Sequence, residues 1–213
     1  MQTTMKRIVD RYDKRLIASL PRAVFPGHIE VVSSQRDAER AVRYLAKQPL
    51  LGFDTETRPS FTKGRQHSVA LLQVSSPEVC FLFRLNRIGL PDCLVNLLKD
   101  DAITKVGLSW HDDLRSLSQR QRFQPGTFVE LQNVAGQMGI EDMSLQKLYA
   151  NIFGQKISKG QRLTNWEAAS LSEAQQQYAA TDAWACIQLY EEMLRMQREG
   201  YDLTHVATEE KVN

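Results

Sequence analysis

The sequence predicts an α/β fold, in which a mixed sheet of five to six strands is flanked by helices. Three strand-like runs follow one another closely between residues 50 and 85, and this succession predicts an antiparallel meander. The residues that follow alternate between helical and strand-like patterns, which is typical of parallel strands joined by helices. Together the two patterns predict a sheet that begins antiparallel and continues with parallel strands.

The chain begins with apolar residues at helical spacing. They recur at every fourth position from Ile8 to Leu20, and Pro21 follows them. This pattern predicts an amphipathic helix over residues 5–20, inside an N-terminal segment of residues 1–22. Charged residues interrupt the segment throughout, so it lacks the continuous apolar core of a signal peptide, and the sequence predicts a cytoplasmic protein.

Apolar periodicity and turn residues define the other elements. Strands are predicted over residues 29–32, 50–56, 68–75, 79–85, 103–107 and 127–131. Helices are predicted over residues 34–47, 91–99, 112–120, 144–152 and 172–197. Ser34 and Asp37 resemble a capping box at the start of the first of these helices. We therefore predict one domain over residues 23–200, followed by a polar, disordered tail over residues 201–213.

Composition excludes several classes of protein. The 213 residues are 42% hydrophobic and 24% charged, which is typical of a globular chain and excludes a disordered, collagen-like or membrane-spanning one. The three cysteines and four histidines are scattered, so neither a disulfide framework nor a zinc site is predicted. The net charge of +2 neither supports nor excludes a nucleic-acid ligand, because an acidic metal site can offset a basic groove.

Two acidic residues lie at the end of the second predicted strand. Asp54 and Glu56 are two positions apart, and side chains alternate along a strand, so both carboxylates point to the same face. Two such charges repel each other, and a hard cation such as Mg²⁺ would compensate them. Taken alone, an Asp-x-Glu pair is more often a solvated strand end than a metal site.

A tyrosine and an aspartate share one face of the last predicted helix. Tyr178 and Asp182 are four positions apart, which places them one turn apart on the same side. Small residues at Ala179, Ala180 and Ala183 would allow this helix to lie close to the sheet. Taken alone, the pair is more often a packed tyrosine with an exposed aspartate.

A further acid lies where a predicted strand passes into a helix. The segment from Lys105 to Leu114 contains two adjacent aspartates, Asp112 and Asp113, in the first helical turn. An acid at this place often does no more than interact favourably with the helix dipole.

The order and setting of these three motifs resemble the DEDD superfamily of 3′-to-5′ exonucleases. The resemblance is to its DEDDy branch, which contains ribonuclease D and the Werner-syndrome-type exonuclease domain, and it spans residues 29–193. The first family motif is an apolar strand ending in Asp-x-Glu, as in residues 52–56. The second has an aspartate at the ninth position of a Lys-Val-Gly-like segment, which selects Asp113 rather than Asp112. The third is Tyr-x-x-x-Asp, as at Tyr178 and Asp182.

The resemblance implies a ribonuclease-H-like fold and a metal-dependent 3′-to-5′ exonuclease that hydrolyses phosphodiester bonds at nucleic-acid ends. It implies two divalent ions, Mg²⁺ or Mn²⁺, bridged by Asp54. Glu56 and Asp182 are implied to help fix one ion and Asp113 to hold the second, while Tyr178 orients the attacking water. The implied partner is DNA or RNA with a free 3′ end, and no membrane.

Four residues are candidates for contacts with the nucleic acid. Aromatic faces bind bases with little sequence preference, so Trp110 and His111 are candidates, with burial of Trp110 in the core as an equal alternative. Arg162 lies in a polar loop with other basic residues, where solvated surface charge is the alternative. The fourth candidate is Thr55, between the two acids of the first motif. The sequence does not indicate an oligomeric state or a choice between DNA and RNA.

Two other functions compete with the exonuclease interpretation. A catalytically inactive protein of the same fold would bind nucleic acid or a protein partner and release no nucleotides. An unrelated α/β interaction domain would carry its acids as surface features and would not bind Mg²⁺ or Mn²⁺ specifically.

Overall fold

A computed structural model describes residues 5–62, 64 and 67–206, which form eight strands and seven α-helices. The strands are β1 (Lys6–Val9), β2 (His28–Val32), β3 (Leu50–Thr57), β4 (Val69–Ser75), β5 (Val79–Phe83), β6 (Thr104–Gly107), β7 (Phe128–Glu130) and β8 (Tyr201–Thr204). The helices are α1 (Gln35–Leu45), α2 (Leu85–Ile88), α3 (Asp92–Lys99), α4 (Trp110–Ser118), α5 (Leu131–Gln137), α6 (Leu145–Phe153) and α7 (Glu173–Glu199). A 3-10 helix (Lys14–Ser19) follows β1.

Six of the strands form one mixed sheet in the order β2-β5-β4-β3-β6-β7. β3, β4 and β5 are antiparallel neighbours, whereas β2 pairs with β5, β6 with β3 and β7 with β6 in parallel. The predicted combination of an antiparallel meander with parallel strands is confirmed. Every residue of β4 is buried, as expected for an inner strand whose two faces are both covered.

Helices cover both faces of the sheet. Along β5, Phe81 and Phe83 belong to the core formed with α1, α3 and α4, whereas Cys80 and Leu82 belong to the core formed with α7. This division follows from the alternation of side chains along a strand. α5 and α6 pack beside α7. Within the described ranges, no helix combines the length and the apolar character that crossing a membrane requires.

α7 lies directly on β3. Its first turn is fixed by a capping box between Ser172 and Gln175. Farther along, a Cβ atom at Gly52 would lie only 2.0 Å from the carbonyl oxygen of Ala183. Ala179 and Ala180 are fully buried, as is Ala183. The predicted close approach of this helix through small residues is therefore confirmed, and glycine is required at position 52 of the strand.

The predicted N-terminal helix over residues 5–20 is wrong. This segment forms β1 and the 3-10 helix instead, and β1 pairs in parallel with β8 in a separate two-stranded sheet. The apolar residues do not form one helical stripe, because Ile8 and Ile17 are buried while Leu16 is 55% exposed. Backbone pairing with a strand nearly 200 positions away thus replaces the local helical hydrogen bonds.

The predicted disordered tail over residues 201–213 is partly wrong. Tyr201–Thr204 form β8, which the pairing with β1 holds in place. Residues 207–213 lie outside the described residues, as do residues 1–4. Two short helices, α2 and α5, were not predicted.

Candidate active site

Three carboxylates from two elements converge at the centre of the sheet. Asp54 and Glu56 belong to β3, and Asp182 belongs to α7. One oxygen atom from each lies within 4.8 Å of the others. The contact between Gly52 and Ala183 explains this convergence, because it brings Asp182 against the strand two residues before Asp54.

The three carboxylates are costly to ionise together. Glu56 is 8% exposed and Asp182 is 6% exposed. Burial, followed by the charges of Asp54 and Asp182, raises the pKa of Glu56 to about 10. Burial also raises the pKa of Asp182 to about 7, and burial with the charge of Asp182 raises the pKa of Asp54 well above its ordinary value. The cluster therefore holds protons at neutral pH unless a cation replaces them.

The donor set fits a divalent cation. All three groups offer the carboxylate oxygens that Mg²⁺ and Mn²⁺ prefer. The Oδ1 atom of Asp182 is buried and has no hydrogen-bond partner among the described residues. A buried polar atom without a partner is costly, and a bound cation would satisfy it.

Asp113 lies beside this cluster in the first turn of α4, outside the group of three. The hydroxyl of Thr55 donates a hydrogen bond to Asp113 Oδ1 at 2.6 Å. Burial raises the pKa of Asp113, and this hydrogen bond partly opposes the effect. The negative charge of Asp113 in turn contributes to the raised pKa of Asp54. By contrast, the side chain of Asp112 is 89% exposed and pairs with Arg115 at 3.8 Å.

Glu130, which no sequence pattern indicated, holds the turn before α4. Ser109 in this turn has a left-handed backbone, with φ of 60°. The carboxylate of Glu130 accepts hydrogen bonds from the backbone nitrogens of Ser109 at 2.9 Å and Trp110 at 3.3 Å. It also accepts one from Gln132 at 3.2 Å, at the start of α5. Glu130 thus fixes the turn from which α4 carries Asp113 toward β3.

Tyr178 lies one turn before Asp182 on α7 and is buried. Its ring centroid is 6.0 Å from that of Trp166, which has no exposed surface and is structural. Burial raises the pKa of Tyr178 above its ordinary value, and the charge of Asp182 raises it further. The Tyr178 hydroxyl therefore keeps its proton at neutral pH.

The candidate contact residues lie on two sides of the carboxylates. Trp110 is half-buried against Phe128, 4.6 Å between centroids, and borders a small pocket with Asp54 and Asp113. Its ring stacks on the exposed His111 at 4.4 Å. The core packing of Trp110, which was one of the two alternatives, is therefore observed, with one edge still at the pocket.

On the other side, Arg162 and Lys159 line a cleft of about 230 Å³ together with Tyr178 and Asp182. Thr55 lies at the pocket that Trp110 borders, but its hydroxyl is engaged with Asp113. All predicted site residues except the exposed His111, which stacks on Trp110, thus belong to the carboxylate cluster or line one of the two pockets beside it. Lys159 was not among the predicted contacts, although it shares the polar loop of Arg162.

Comparison with known proteins agrees with this geometry. A family model described as a 3′-5′ exonuclease matches residues 29–198. The mouse bifunctional 3′-5′ exonuclease/ATP-dependent helicase WRN is 31% identical over 185 residues, which cover 82% of this chain and 13% of that protein. The Drosophila melanogaster exonuclease 3′-5′ domain-containing protein 2 is 30% identical over 204 residues, which cover 88% of this chain and 35% of that protein. The chain thus spans only a minor part of the length of these relatives.

Solved structures share the fold. The Aedes aegypti Nibbler EXO domain has a TM-score of 0.74 at 18% identity, covering 90% of this chain and 94% of that one. The Trypanosoma brucei RNase D in complex with RNA U12 has a TM-score of 0.70 at 19% identity, covering 80% of this chain and 63% of that one. The mixed sheet flanked by helices is accordingly the ribonuclease-H-like fold of these exonucleases. With a family model that matches residues 29–198, the chain belongs to the 3′-5′ exonuclease family of the DEDD superfamily.

Proposed function

We propose that this protein is a metal-dependent 3′-to-5′ exonuclease, which hydrolyses phosphodiester bonds at the 3′ ends of nucleic acids with two divalent ions, Mg²⁺ or Mn²⁺. The observation that carries the proposal is the buried cluster of Asp54, Glu56 and Asp182 in a chain of the 3′-5′ exonuclease family. The proposed substrate is DNA or RNA with a free 3′ end, since the reacting phosphodiester group is common to both.

The carboxylates would hold the ions. Asp54, Glu56 and Asp182 would supply one group of ligands, and Asp113, held by the hydroxyl of Thr55, would supply a further ligand beside this group. Divalent ions at such a site lower the pKa of a bound water and stabilise negative charge on the departing 3′ oxygen.

Tyr178 would orient the attacking water. Because burial and the charge of Asp182 raise its pKa, the Tyr178 hydroxyl keeps its proton and is a poor general base. A protonated hydroxyl can still position a water through a hydrogen bond. The substitution Tyr178→Phe would remove the hydrogen bond to this water while keeping the ring packed against Trp166.

The candidate contact residues would hold the end of the strand. The exposed His111 offers a ring face on which a base can stack, and the edge of Trp110 that reaches the pocket offers a further contact to that base. On the opposite side, Arg162 and Lys159 offer positive charge to the backbone phosphates.

The proposal is tested with 5′-labelled single-stranded and recessed-end DNA and RNA oligonucleotides in the presence of Mg²⁺ or Mn²⁺. We expect a ladder that shortens from the 3′ end, is abolished by EDTA and is lost in Asp54→Ala. The matched pair Asp113→Asn and Asp112→Asn gives a sharper control, because only Asp113 lies beside the cluster. Activity should be lost in the first variant and largely kept in the second. Binding of the oligonucleotides without any shortening would instead indicate an inactive binding protein.

A further inference from the structure

The segment of residues 12–23, here called the N-terminal brace, precedes residues 29–198, which the family model matches. It contains the 3-10 helix, which packs on α6. Backbone hydrogen bonds join its two ends to the two stretches of chain that precede the lining residues of the active-site cleft.

At its start, the brace is bound to Asp142, which directly precedes residues 143–146, the first wall of the cleft. The backbone nitrogen of Tyr12 donates to Asp142 Oδ2 at 2.7 Å. The carboxylate of Asp142 also pairs with Lys147 of α6 at 2.8 Å, so this anchor is buried and doubly held. Residues 143–146, which follow directly, line the cleft beside Tyr178.

At its end, the brace is bound to Lys156, which precedes residues 157–159 and Arg162, the second wall of the cleft. The backbone of Lys156 donates to the Pro21 carbonyl at 2.9 Å and accepts from the Ala23 nitrogen at 2.9 Å. Arg22 and Lys156 form an isolated parallel β-bridge at this place. Residues 157–159 and Arg162, which follow, line the same cleft. The brace therefore fixes the positions of both walls.

The brace also adds a positive charge near the cleft. Lys14 is exposed and, like Lys159 and Arg162, forms no ion pair with any acid in the described part of the chain. The pKa of Lys159 is lowered by burial, then by the charge of Arg162 and then by that of Lys14. Lys159 and Arg162 line the cleft beside Asp182. Lys14 lies two residues after Tyr12, whose backbone is bound to Asp142 directly before the lining residues 143–146 of the same cleft.

We infer that the N-terminal brace is part of the substrate-binding surface, and that Lys14 together with Lys159 and Arg162 binds backbone phosphates of the strand that leads to the 3′ terminal nucleotide. The inference rests on the proposed exonuclease function. Unpaired cations along a cleft that ends at a carboxylate cluster match the charge pattern of a nucleic-acid strand approaching a hydrolytic site.

The test compares Lys14→Ala and Lys14→Arg with Arg36→Ala, which removes an exposed cation from α1, a helix of the opposite sheet face. Binding of a labelled single strand of about 12 nucleotides is measured by fluorescence anisotropy in EDTA over a range of salt concentrations. Hydrolysis of the same strand and of a dinucleotide is measured separately with Mn²⁺.

We expect Lys14→Ala to weaken binding about two- to fivefold and to make the salt dependence of log K less steep by about 0.7. For the long strand, KM should rise by the same factor at unchanged kcat, whereas the dinucleotide should respond much less. Lys14→Arg should restore wild-type behaviour, and Arg36→Ala should match the wild type. Because Lys14 is exposed, an unchanged melting temperature serves as the folding control.

Two results would overturn the inference, and they differ from each other. If the wild type degrades the strand but Lys14→Ala equals it in affinity and salt dependence, the brace does not bind substrate and the proposed function stands. If the wild type degrades neither substrate with Mg²⁺ or Mn²⁺, the exonuclease proposal fails and the inference fails with it.

Discussion

The hydroxyl of Thr55 connects the strand that carries Asp54 and Glu56 to the helix that carries Asp113. It donates to Asp113 Oδ1 at 2.6 Å. Hydrogen bonds to charged groups typically contribute about 1.5–3 kcal/mol. This bond also favours the ionised form of Asp113, which burial disfavours. Thr55 is thus a positioning residue for Asp113, with its hydroxyl turned toward that carboxylate.

We predict that Thr55→Val lowers kcat/KM about tenfold to a hundredfold, because valine keeps the shape of threonine but cannot donate the hydrogen bond. Mn²⁺ binding, measured by titration calorimetry, should weaken in parallel. Thr55→Ser keeps the hydroxyl and should retain most of both properties. Wild-type Mn²⁺ affinity in Thr55→Val would show that this bond does not help to hold the metal.

At this scale the sequence identifies the acids but not the groups that orient them. The spacing of Asp54, Glu56 and Asp182 places them on defined faces of a strand and a helix, and the resemblance of the ordered motifs to the exonuclease family selects them. The bond from Thr55 and the contacts of Glu130 join residues 58 and about 20 positions apart. Local periodicity cannot indicate such pairs. Only the fold therefore identifies Glu130 and the role of Thr55 as the hydrogen-bond donor to Asp113.

At the scale of elements, the cluster depends on how closely α7 lies on β3. A Cβ atom at Gly52 would lie 2.0 Å from the Ala183 carbonyl oxygen, so any larger residue must move the helix. Asp182 directly precedes Ala183 and would move with it. The same contact therefore supports both the packing of the sheet and the geometry of the carboxylates.

We predict that Gly52→Ala lowers the free energy of unfolding by about 1–3 kcal/mol, because overpacking forces the backbone to shift. It should also reduce nuclease activity by displacing Asp182. Gly136→Ala is the matched control, since Gly136 lies in α5 and a Cβ atom there would meet nothing within 4 Å. That change should stabilise the protein slightly. Urea unfolding and nucleotide release measure both effects, and equal behaviour of the two variants would contradict the argument.

The buried carboxylates of these elements also make the free energy of unfolding of the metal-free protein depend on pH. The pKa values of Glu56, about 10, and Asp182, about 7, exceed the ordinary values of 4.5 and 3.8. Over the interval between the ordinary and the raised values, the folded state holds protons that the unfolded state has released. The free energy of unfolding therefore falls as the pH rises through this interval, and a cation that binds the charged form opposes the loss.

We predict that the metal-free protein melts at a lower temperature at about pH 8.5 than at about pH 6, and that Mn²⁺ raises the melting temperature more at the higher pH. A difference of at least about 2 °C is expected, which corresponds to roughly 1 kcal/mol for a domain of this size. Glu56→Gln removes one titrating group and should reduce both effects. A melting temperature that is independent of pH and of Mn²⁺ would count against a metal site.

Elements with a complete local signal are predicted well, and elements that depend on distant partners are not. Ser34 caps α1, as its sequence indicates, and β4 and α7 follow their apolar patterns closely. The segment before them has a helical pattern but forms β1, because β8 supplies its hydrogen bonds. Local periodicity cannot report a pairing of this kind.

At the scale of the whole molecule, the β1–β8 pair joins two regions that lie far apart in sequence. Asp10, which follows β1, is buried and accepts a hydrogen bond from the Val206 backbone nitrogen at 2.9 Å. Its other oxygen lies 3.0 Å from a ring nitrogen of His205. The N-terminal brace begins two residues after Asp10, so this pair of strands also holds the start of the brace in place.

We predict that Asp10→Ala increases amide hydrogen exchange in residues 6–9 and 201–204, because the two strands lose the side chain that holds their ends together. Exchange in β3 and in the first turns of α7, which carry the carboxylates, should stay unchanged. Asp202→Ala removes an acid from the same pair of strands, but its partner Arg7 is 84% exposed, so that variant should behave as the wild type.

If Asp10→Ala loosens the strands, KM for a long single strand should also rise, because the brace then loses its fixed start. Unchanged exchange in both strands would show that backbone pairing alone holds them, and increased exchange that extends into β3 would show that the two ends of the chain stabilise the catalytic sheet itself.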